Sequence, residues 1–132
     1  VPPVDTLCQS PFPAGSAAGM IVVCQRGVNA RVAKGYNALQ GGAVGMILYN
    51  PSLQGIATDN HFLPAVHLEG AEGAQLTAFL GSHTGVTASF PAGSAAAYQG
   101  DVVAPFSSRG GPGLALGIAK PDVTAPGVQI LA

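Results

Sequence analysis

The segment that decides the fold runs from Gly19 to Gly27 and reads Gly-Met-Ile-Val-Val-Cys-Gln-Arg-Gly. Its centre, residues 20–24, is a continuous apolar run rich in β-branched side chains, which is typical of a strand buried on both faces. A second apolar run follows at residues 43–49. The intervening segment has helical spacing, so the three together predict a βαβ unit with parallel strands and a right-handed crossover.

The predicted first helix begins after Asn29, a residue type that favours the N-cap position. Glycines at 41 and 42 end it, since glycine adopts the left-handed cap conformation without steric cost. Spacing assigns one face to the core and turns Arg31 and Lys34 away from it. The expected core-facing residues are Val32, Ala33, Tyr36 and Leu39.

Further elements follow along the chain. Residues 50–62 read as a long surface loop and residues 63–68 as a third strand. A second helix opens at Glu69 or Gly70 and ends at Gly81, and residues 84–90 alternate as a half-exposed strand does. After residue 90 glycine, serine and alanine dominate, so we place a boundary near residues 91–100. The fold class is therefore α/β.

The composition excludes several classes of protein. Of the 132 residues only 8% are charged, against about 25% in an average soluble domain. With 19 glycines and 11 prolines, this indicates a turn-rich folded protein. The net charge of −1 gives no basic patch for nucleic acid, and no apolar run reaches the ~20 residues that a membrane span needs.

The two cysteines, Cys8 and Cys24, do not form a C-x-x-C pair, so a zinc or thioredoxin-like site has little support. Their even number, and the place of Cys24 at a strand end, favour a disulfide, which would indicate an oxidising compartment. The alternative is a pair of buried free thiols.

Three motifs in order resemble the protease-associated (PA) domain family. Gly19–Gly27 resembles the G-K-I-V-L-C-x-R-G signature, with Met20 where lysine is usual. Residues 34–50 resemble the K-x-x-N-A-x-x-A-G-A-x-G-x-I-x-Y-N core, with Gly41 where alanine is usual, and residues 63–68 resemble an I-P-A-V-x-I strand. The resemblance implies a swivelling β/β/α domain over residues 1–95, a small barrel-like sheet flanked by two helices.

The remaining segment, residues 96–132, resembles a different family. Residues 106–112 and 120–128 are similar to the F-S-S-R-G-P and K-P-D-V-T-A-P-G-V segment of subtilisin-like serine proteases. In those proteases the segment precedes the G-T-S-M-A motif with the nucleophilic serine, and that motif does not occur here. The resemblance implies a partial catalytic-domain segment that lacks the nucleophile motif.

Catalytic and metal-binding alternatives have weaker support. Sequence order alone is poor support for a triad, and neither Ser107 nor Ser108 lies in a nucleophile motif. The pairs Asp59-x-His61 and His67-x-Glu69 do not have the spacing of a zinc site. No cofactor is expected. The remaining residues from which a triad could be assembled are His61, His67, His83, Asp59 and Asp122.

The 50–62 loop is the best candidate for polypeptide recognition, because irregular loops longer than about 12 residues are often functional. Its apolar side chains either contact a polypeptide or the catalytic domain, or pack into the local core. The candidate recognition residues are Leu53, Ile56, Asp59, His61 and Phe62.

The resemblances imply a non-catalytic PA domain of a secreted subtilisin-like serine endopeptidase, which regulates substrate access or binds polypeptide. The alternative is a free-standing PA-fold module for protein binding or sorting. Expected partners are the parent catalytic domain and polypeptide substrate, with no nucleic acid and no membrane. The apolar tail after residue 100 also suggests self-association by strand addition.

Overall fold

The computed structural model describes residues 5–94, 97, 100–104, 106–108, 117–118 and 120–127. The chain divides into two units, Val1–Ala95 and Ala96–Ala132. The helices and strands of the described residues all lie in the first unit: β1 Ile21–Gln25, α1 Arg31–Gln40, β2 Gly45–Tyr49, β3 Ala65–Leu68 and α2 Gly70–Ser82.

The strands form one parallel sheet in the order β1-β2-β3. Val23 of β1 lies opposite Ile47 of β2, which lies opposite Val66 of β3. The predicted βαβ unit is thus present, with α1 as the crossover between β1 and β2. Parallel pairing brings the carboxyl ends of all three strands to one edge of the sheet.

The buried core joins one face of the sheet to α1 and to an N-terminal arm, residues 5–19. Alternating residues of β1 and β2 lie in it, as the period of two in a strand requires. The arm is tied to the edge of β1, where the backbone N–H of Gln25 donates to the carbonyl of Thr6 at 2.7 Å. The core consists of Cys8, Ala17, Val22, Cys24, Ala38, Ala43, Met46, Leu48 and Leu63.

The buried face of α1 differs from the predicted one. Tyr36 and Leu39 are exposed, and Lys34 is fully buried. The difference arises because backbone carbonyls of the N-terminal arm cover this face, so it needs side chains that donate hydrogen bonds. The buried residues of the helix are Lys34, Gly35, Asn37 and Ala38.

The N-cap prediction was also wrong. The N-cap residue of α1 is Ala30, which makes no side-chain capping bond. Asn29 instead uses its side chain outside the helix, donating to the carbonyl of Cys8 and accepting from Lys34. Asn29 therefore pairs with the carbonyl of Cys8 in the arm instead of capping α1.

The barrel-like closure and swivelling arrangement are not confirmed, because the sheet formed by the described residues is open. Residues 84–90, predicted as a strand, are not part of it. They nevertheless approach it, since a Cβ atom on Gly45 would lie 2.5 Å from Cε2 of Phe90. The absence of a side chain at Gly45 makes room for the Phe90 ring beside β2.

The described residues of the second unit form turns and irregular backbone without a helix or strand. The side chain of Lys120 pairs with that of Asp122. Of the apolar tail residues, Val128, Ile130 and Leu131 lie outside the described residues. Those that are described, Val102, Val103, Phe106, Ile118 and Val123, are exposed.

Candidate functional site

The N-terminal arm is held by the expected disulfide between Cys8 and Cys24, which are separated by 16 residues. The backbone of Cys8 is in the left-handed region, with φ +49°. Its carbonyl accepts hydrogen bonds from Nδ2 of Asn37 at 2.9 Å and from Nδ2 of Asn29 at 3.3 Å. Two asparagines of the α1 region therefore fix the carbonyl next to the disulfide.

Lys34 is the third donor beneath the arm. Its Nζ donates to the carbonyl of Leu7 at 2.5 Å and to Oδ1 of Asn29 at 2.5 Å. Burial lowers the pKa of this ammonium group, and the nearby charge of Asp5 acts in the opposite direction. The lysine thus serves as a buried cross-link between α1 and the arm.

The 50–62 loop is anchored at the carboxyl edge of the sheet by Asn50, which is fully buried. Oδ1 of Asn50 accepts from Nε2 of His67 at 2.8 Å and from Nη1 of Arg26 at 3.4 Å. Nδ2 of Asn50 donates to Oε1 of Glu69 at 2.9 Å and to the carbonyl of Gly55 at 3.2 Å. One amide therefore links the ends of all three strands to the loop.

Glu69 connects the same network to α2. It is the N-cap residue of that helix, and Oε2 accepts from the backbone N–H of Gly70 at 3.4 Å and of Gln54 at 3.2 Å. Desolvation tends to raise the pKa of Glu69, but these hydrogen bonds and the one from Asn50 outweigh it, so the pKa is lowered. The start of the loop is therefore held against the start of α2.

An ion pair holds the C-terminal part of the 50–62 loop on α1. Nε of Arg31 lies 2.5 Å from Oδ2 of Asp59, and Nη2 of Arg31 lies 3.0 Å from Oδ1, which is a two-point contact. The hydrogen bond to Arg31 lowers the pKa of the Asp59 carboxyl, against the opposing effect of desolvation. Asp59 was a predicted recognition residue, but both of its carboxylate oxygens already accept hydrogen bonds from Arg31.

Between these anchors the loop exposes apolar side chains. Leu53 is 81% exposed, Phe62 63% and Ile56 47%. The ring of Phe62 contacts that of Tyr36 on α1 edge to face, with centroids 5.2 Å apart, and Tyr36 is itself exposed. The three apolar residues thus face solvent rather than packing into the core, and we call Leu53, Ile56 and Phe62 the apolar loop surface.

His61 is half-buried beside this surface. Its Nδ1 atom is buried and has no hydrogen-bond partner among the residues that the structure describes. Desolvation lowers the pKa of His61; Asp59 acts against this, while His67 and Arg31 add to it. The residue is therefore better suited to a neutral than to a charged state.

Sequence reasoning missed Arg31 and Tyr36 as parts of this site. Both lie on α1, and no local pattern indicated that the 50–62 loop would fold back over that helix. The only available signal was the pair of opposite charges at Arg31 and Asp59 in a chain with few charged residues.

The alternatives that the sequence analysis gave little support concern metal binding, catalysis and membrane spanning. No group of three or more His, Cys, Asp or Glu side chains in the described part of the chain could hold a metal ion. Ser107 donates its hydroxyl hydrogen to the carbonyl of Ser108. None of the described helices is long and apolar enough to cross a membrane.

Comparison with known proteins identifies two similarities. The family model of the PA domain matches residues 1–76. "Subtilisin-like protease SBT1.6" of Arabidopsis thaliana is 42% identical over 118 residues, covering 86% of this chain and 15% of the relative. "Subtilisin-like protease SBT1.3" of the same plant is 43% identical over 119 residues, covering 87% and 15%. The chain thus spans about 15% of the length of these relatives.

Proposed function

Because this chain belongs to the PA domain family, we propose that residues 1–95 are the non-catalytic protease-associated domain of a subtilisin-like serine endopeptidase. Residues 96–132 would then be a partial segment of its catalytic domain. The chain itself supplies no catalytic triad in this proposal. Its role in the parent protein is to bind polypeptide or regulate access of substrate.

The extent of the similarity favours this proposal over a free-standing PA module. The matched region covers 86% of the chain, which is more than the 95 residues of the first unit, so it reaches into residues 96–132. A free-standing sorting module would not need to share that second segment with proteases. The motif at residues 106–112 is consistent with the same conclusion.

Secretion is part of the proposal and is supported by the disulfide between Cys8 and Cys24. Disulfides persist in oxidising compartments and are rare in the cytosol. A barrel-like closure of the sheet is also included, with residues 84–90 as the candidate closing segment because Phe90 already lies against Gly45.

Polypeptide binding is proposed because the apolar loop surface is exposed on a loop that is itself held in place. Leu53, Ile56 and Phe62 are exposed, whereas Asn50 and the Arg31–Asp59 ion pair hold the loop at both ends. Exposed apolar and aromatic side chains on a fixed support are typical of protein-binding surfaces, because little conformational entropy is lost on contact. The surface carries no free charge of its own, so it suits apolar stretches of extended polypeptide.

The test is binding of unfolded casein to the 132-residue chain, followed by NMR chemical shifts. We expect shifts at the apolar loop surface, and weaker binding of the double variant Leu53→Ser/Phe62→Ser. Val28→Ser is the matched control, since Val28 is 84% exposed but lies in the β1–α1 loop. Equal loss of binding in both variants, or no binding by the parent chain, would contradict the proposal.

A further inference from the structure

We propose that protonation of His61 controls whether the 50–62 loop lies fully against α1. The loop lies fully against α1 only while His61 is neutral, and binding of one proton releases the His61–Phe62 end of the loop in mildly acidic solution. The inference concerns the position of the loop, so it holds whether or not the loop binds polypeptide.

The closed position of the loop places His61 in an environment without an acceptor. Its buried Nδ1 has no partner among the described residues. It faces the glycine position of α1: a Cβ atom on Gly35 would lie 3.6 Å from Nδ1 and 3.5 Å from the terminal methyl of Met46. This part of the ring therefore lies next to the side-chain-free position of Gly35, which the Met46 methyl also approaches.

Protonation makes this position unfavourable. A neutral imidazole has one N–H and one bare nitrogen, but both nitrogens carry a hydrogen in the imidazolium form. The proton from solvent would therefore leave Nδ1–H as a buried donor without an acceptor, on a ring that is also charged. An unpaired buried donor and a desolvated charge both cost free energy, and opening the loop exposes both to water.

The charged and titratable groups around His61 do not remove this cost. They are Asp59 on the loop, Arg31 on α1 and His67 on β3. Asp59 favours the protonated ring, but both of its oxygens already accept from Arg31, whose positive charge disfavours a second cation nearby. His67 acts in the same direction as Arg31, and desolvation is the largest effect, so the pKa of His61 is lowered in the closed state.

The sign of the pH dependence follows from this lowered pKa. In the open loop His61 would titrate near the ordinary value of about 6.5. Below that pH the open state binds more protons than the closed state, so the ratio of open to closed rises as pH falls, by at most about tenfold per pH unit for one proton. The rise ends at the pKa of the closed state, and above about pH 6.5 the ratio is constant.

The Arg31–Asp59 ion pair keeps the Asp59 part of the loop on α1 through the histidine step and would release it in a separate step. The pKa of Asp59 is lowered, so its contribution to closure is complete above the ordinary carboxyl range near 4 and is lost only as pH falls through the lowered value. The histidine step therefore comes first on acidification. The two steps can be distinguished by their pH.

The contact between the rings of Tyr36 and Phe62 reports on closure, because Phe62 follows His61 directly and Tyr36 belongs to α1. We would follow the nuclear Overhauser effect between these rings by NMR in the full 132-residue chain, from about pH 8 to about pH 5. The Hε1 signal of His61 would be titrated in the same samples. The effect should be lost along the His61 titration curve, whose midpoint should lie below that of the same residue in concentrated urea.

Two variants and one control keep the test decisive. His61→Gln and His61→Phe remove the proton site, and both should keep the ring contact unchanged down to about pH 5. His83→Gln, which alters a histidine at the end of α2, should leave the transition as it is in the parent chain. The proposal is overturned if the ring contact persists while His61 titrates, if either variant retains the transition, or if both variants are already open near neutral pH.

Discussion

Buried polar side chains help to hold the irregular segments of this domain, together with the disulfide and the apolar core. Lys34, Asn37 and Asn50 are all buried, and each donates to a backbone carbonyl of the N-terminal arm or the 50–62 loop. These positions need side chains that donate hydrogen bonds, because the carbonyls they contact have no partner in a helix or strand. A buried carbonyl without a donor destabilises the fold by roughly 1–3 kcal/mol.

Helical periodicity could not have identified these roles. The helical pattern placed Lys34 on the solvent-facing side of α1. That placement agreed with the general rule that lysine is almost never fully buried unless it is paired. Its partners, Leu7 and Asn29, are contributed by a distant segment and by the turn before the helix. The sequence therefore predicts that α1 exists but not which of its faces the arm covers.

Replacement of Lys34 by methionine tests the cross-link. Lys34→Met keeps most of the side-chain volume but removes the donor to Leu7 and Asn29, so the free energy of unfolding should fall by about 1–3 kcal/mol. Urea denaturation provides the measurement. The control is Lys120→Met, at an exposed lysine in the second unit, which should change stability by less than about 0.5 kcal/mol. Equal effects of the two substitutions would refute the structural role of Lys34.

The helices and strands were largely predictable because each has a strong local pattern. All three strands and both helices occur within a few residues of the predicted ranges, as expected where hydrophobic runs, glycine stops and acidic helix starts agree. Residues 84–90 alternate like a strand, but alternation alone does not provide a neighbouring strand with which to pair. The open edge of the sheet was therefore not predictable from local sequence.

Helix α2 packs on β2 through a glycine, which gives a sharp prediction. A Cβ atom on Gly73 would lie 2.6 Å from Cβ of Tyr49, which cannot move without the strand. Gly73→Ala should therefore lower the free energy of unfolding by about 1–3 kcal/mol. Gly81→Ala in the same helix, where nothing lies within 4 Å, should raise it by about 0.5–1 kcal/mol. Thermal unfolding of the two variants decides the matter, and a stabilised Gly73→Ala protein would show that α2 does not pack closely on Tyr49.

The disulfide joins the N-terminal arm to β1, and its loss should destabilise the first unit. Cys8 and Cys24 are separated by 16 residues, so reduction should lower the free energy of unfolding by about 2–4 kcal/mol, mainly by freeing the unfolded chain. Urea titrations with and without a reducing agent measure this. The double variant Cys8→Ala/Cys24→Ala serves as the control and should not respond to the reductant. An unchanged midpoint for the parent chain on full reduction would be the contrary result.

At the scale of the whole molecule, the two units have different characters. The first contains the helices, strands and core of the described residues, whereas the described part of the second is irregular and exposes its apolar side chains. In the sequence, the motifs of residues 1–95 and those of residues 96–132 resemble two different families. The details of the candidate site were less accessible: the loop and its apolar residues were predicted, but its anchoring by Arg31 and Asn50 depends on contacts between distant segments.

The most direct test of the proposed polypeptide binding uses the full-length subtilisin-like protease to which we propose that this domain belongs. The value of kcat/KM would be measured for casein and for a short chromogenic peptide, in the parent, in Leu53→Ser/Phe62→Ser and in the control Val28→Ser. We predict that the double variant loses about tenfold in kcat/KM for casein, equivalent to about 1.4 kcal/mol of transition-state stabilisation, with no change for the short peptide or in the control. Unchanged cleavage of casein, or an equal loss on both substrates, would contradict the account.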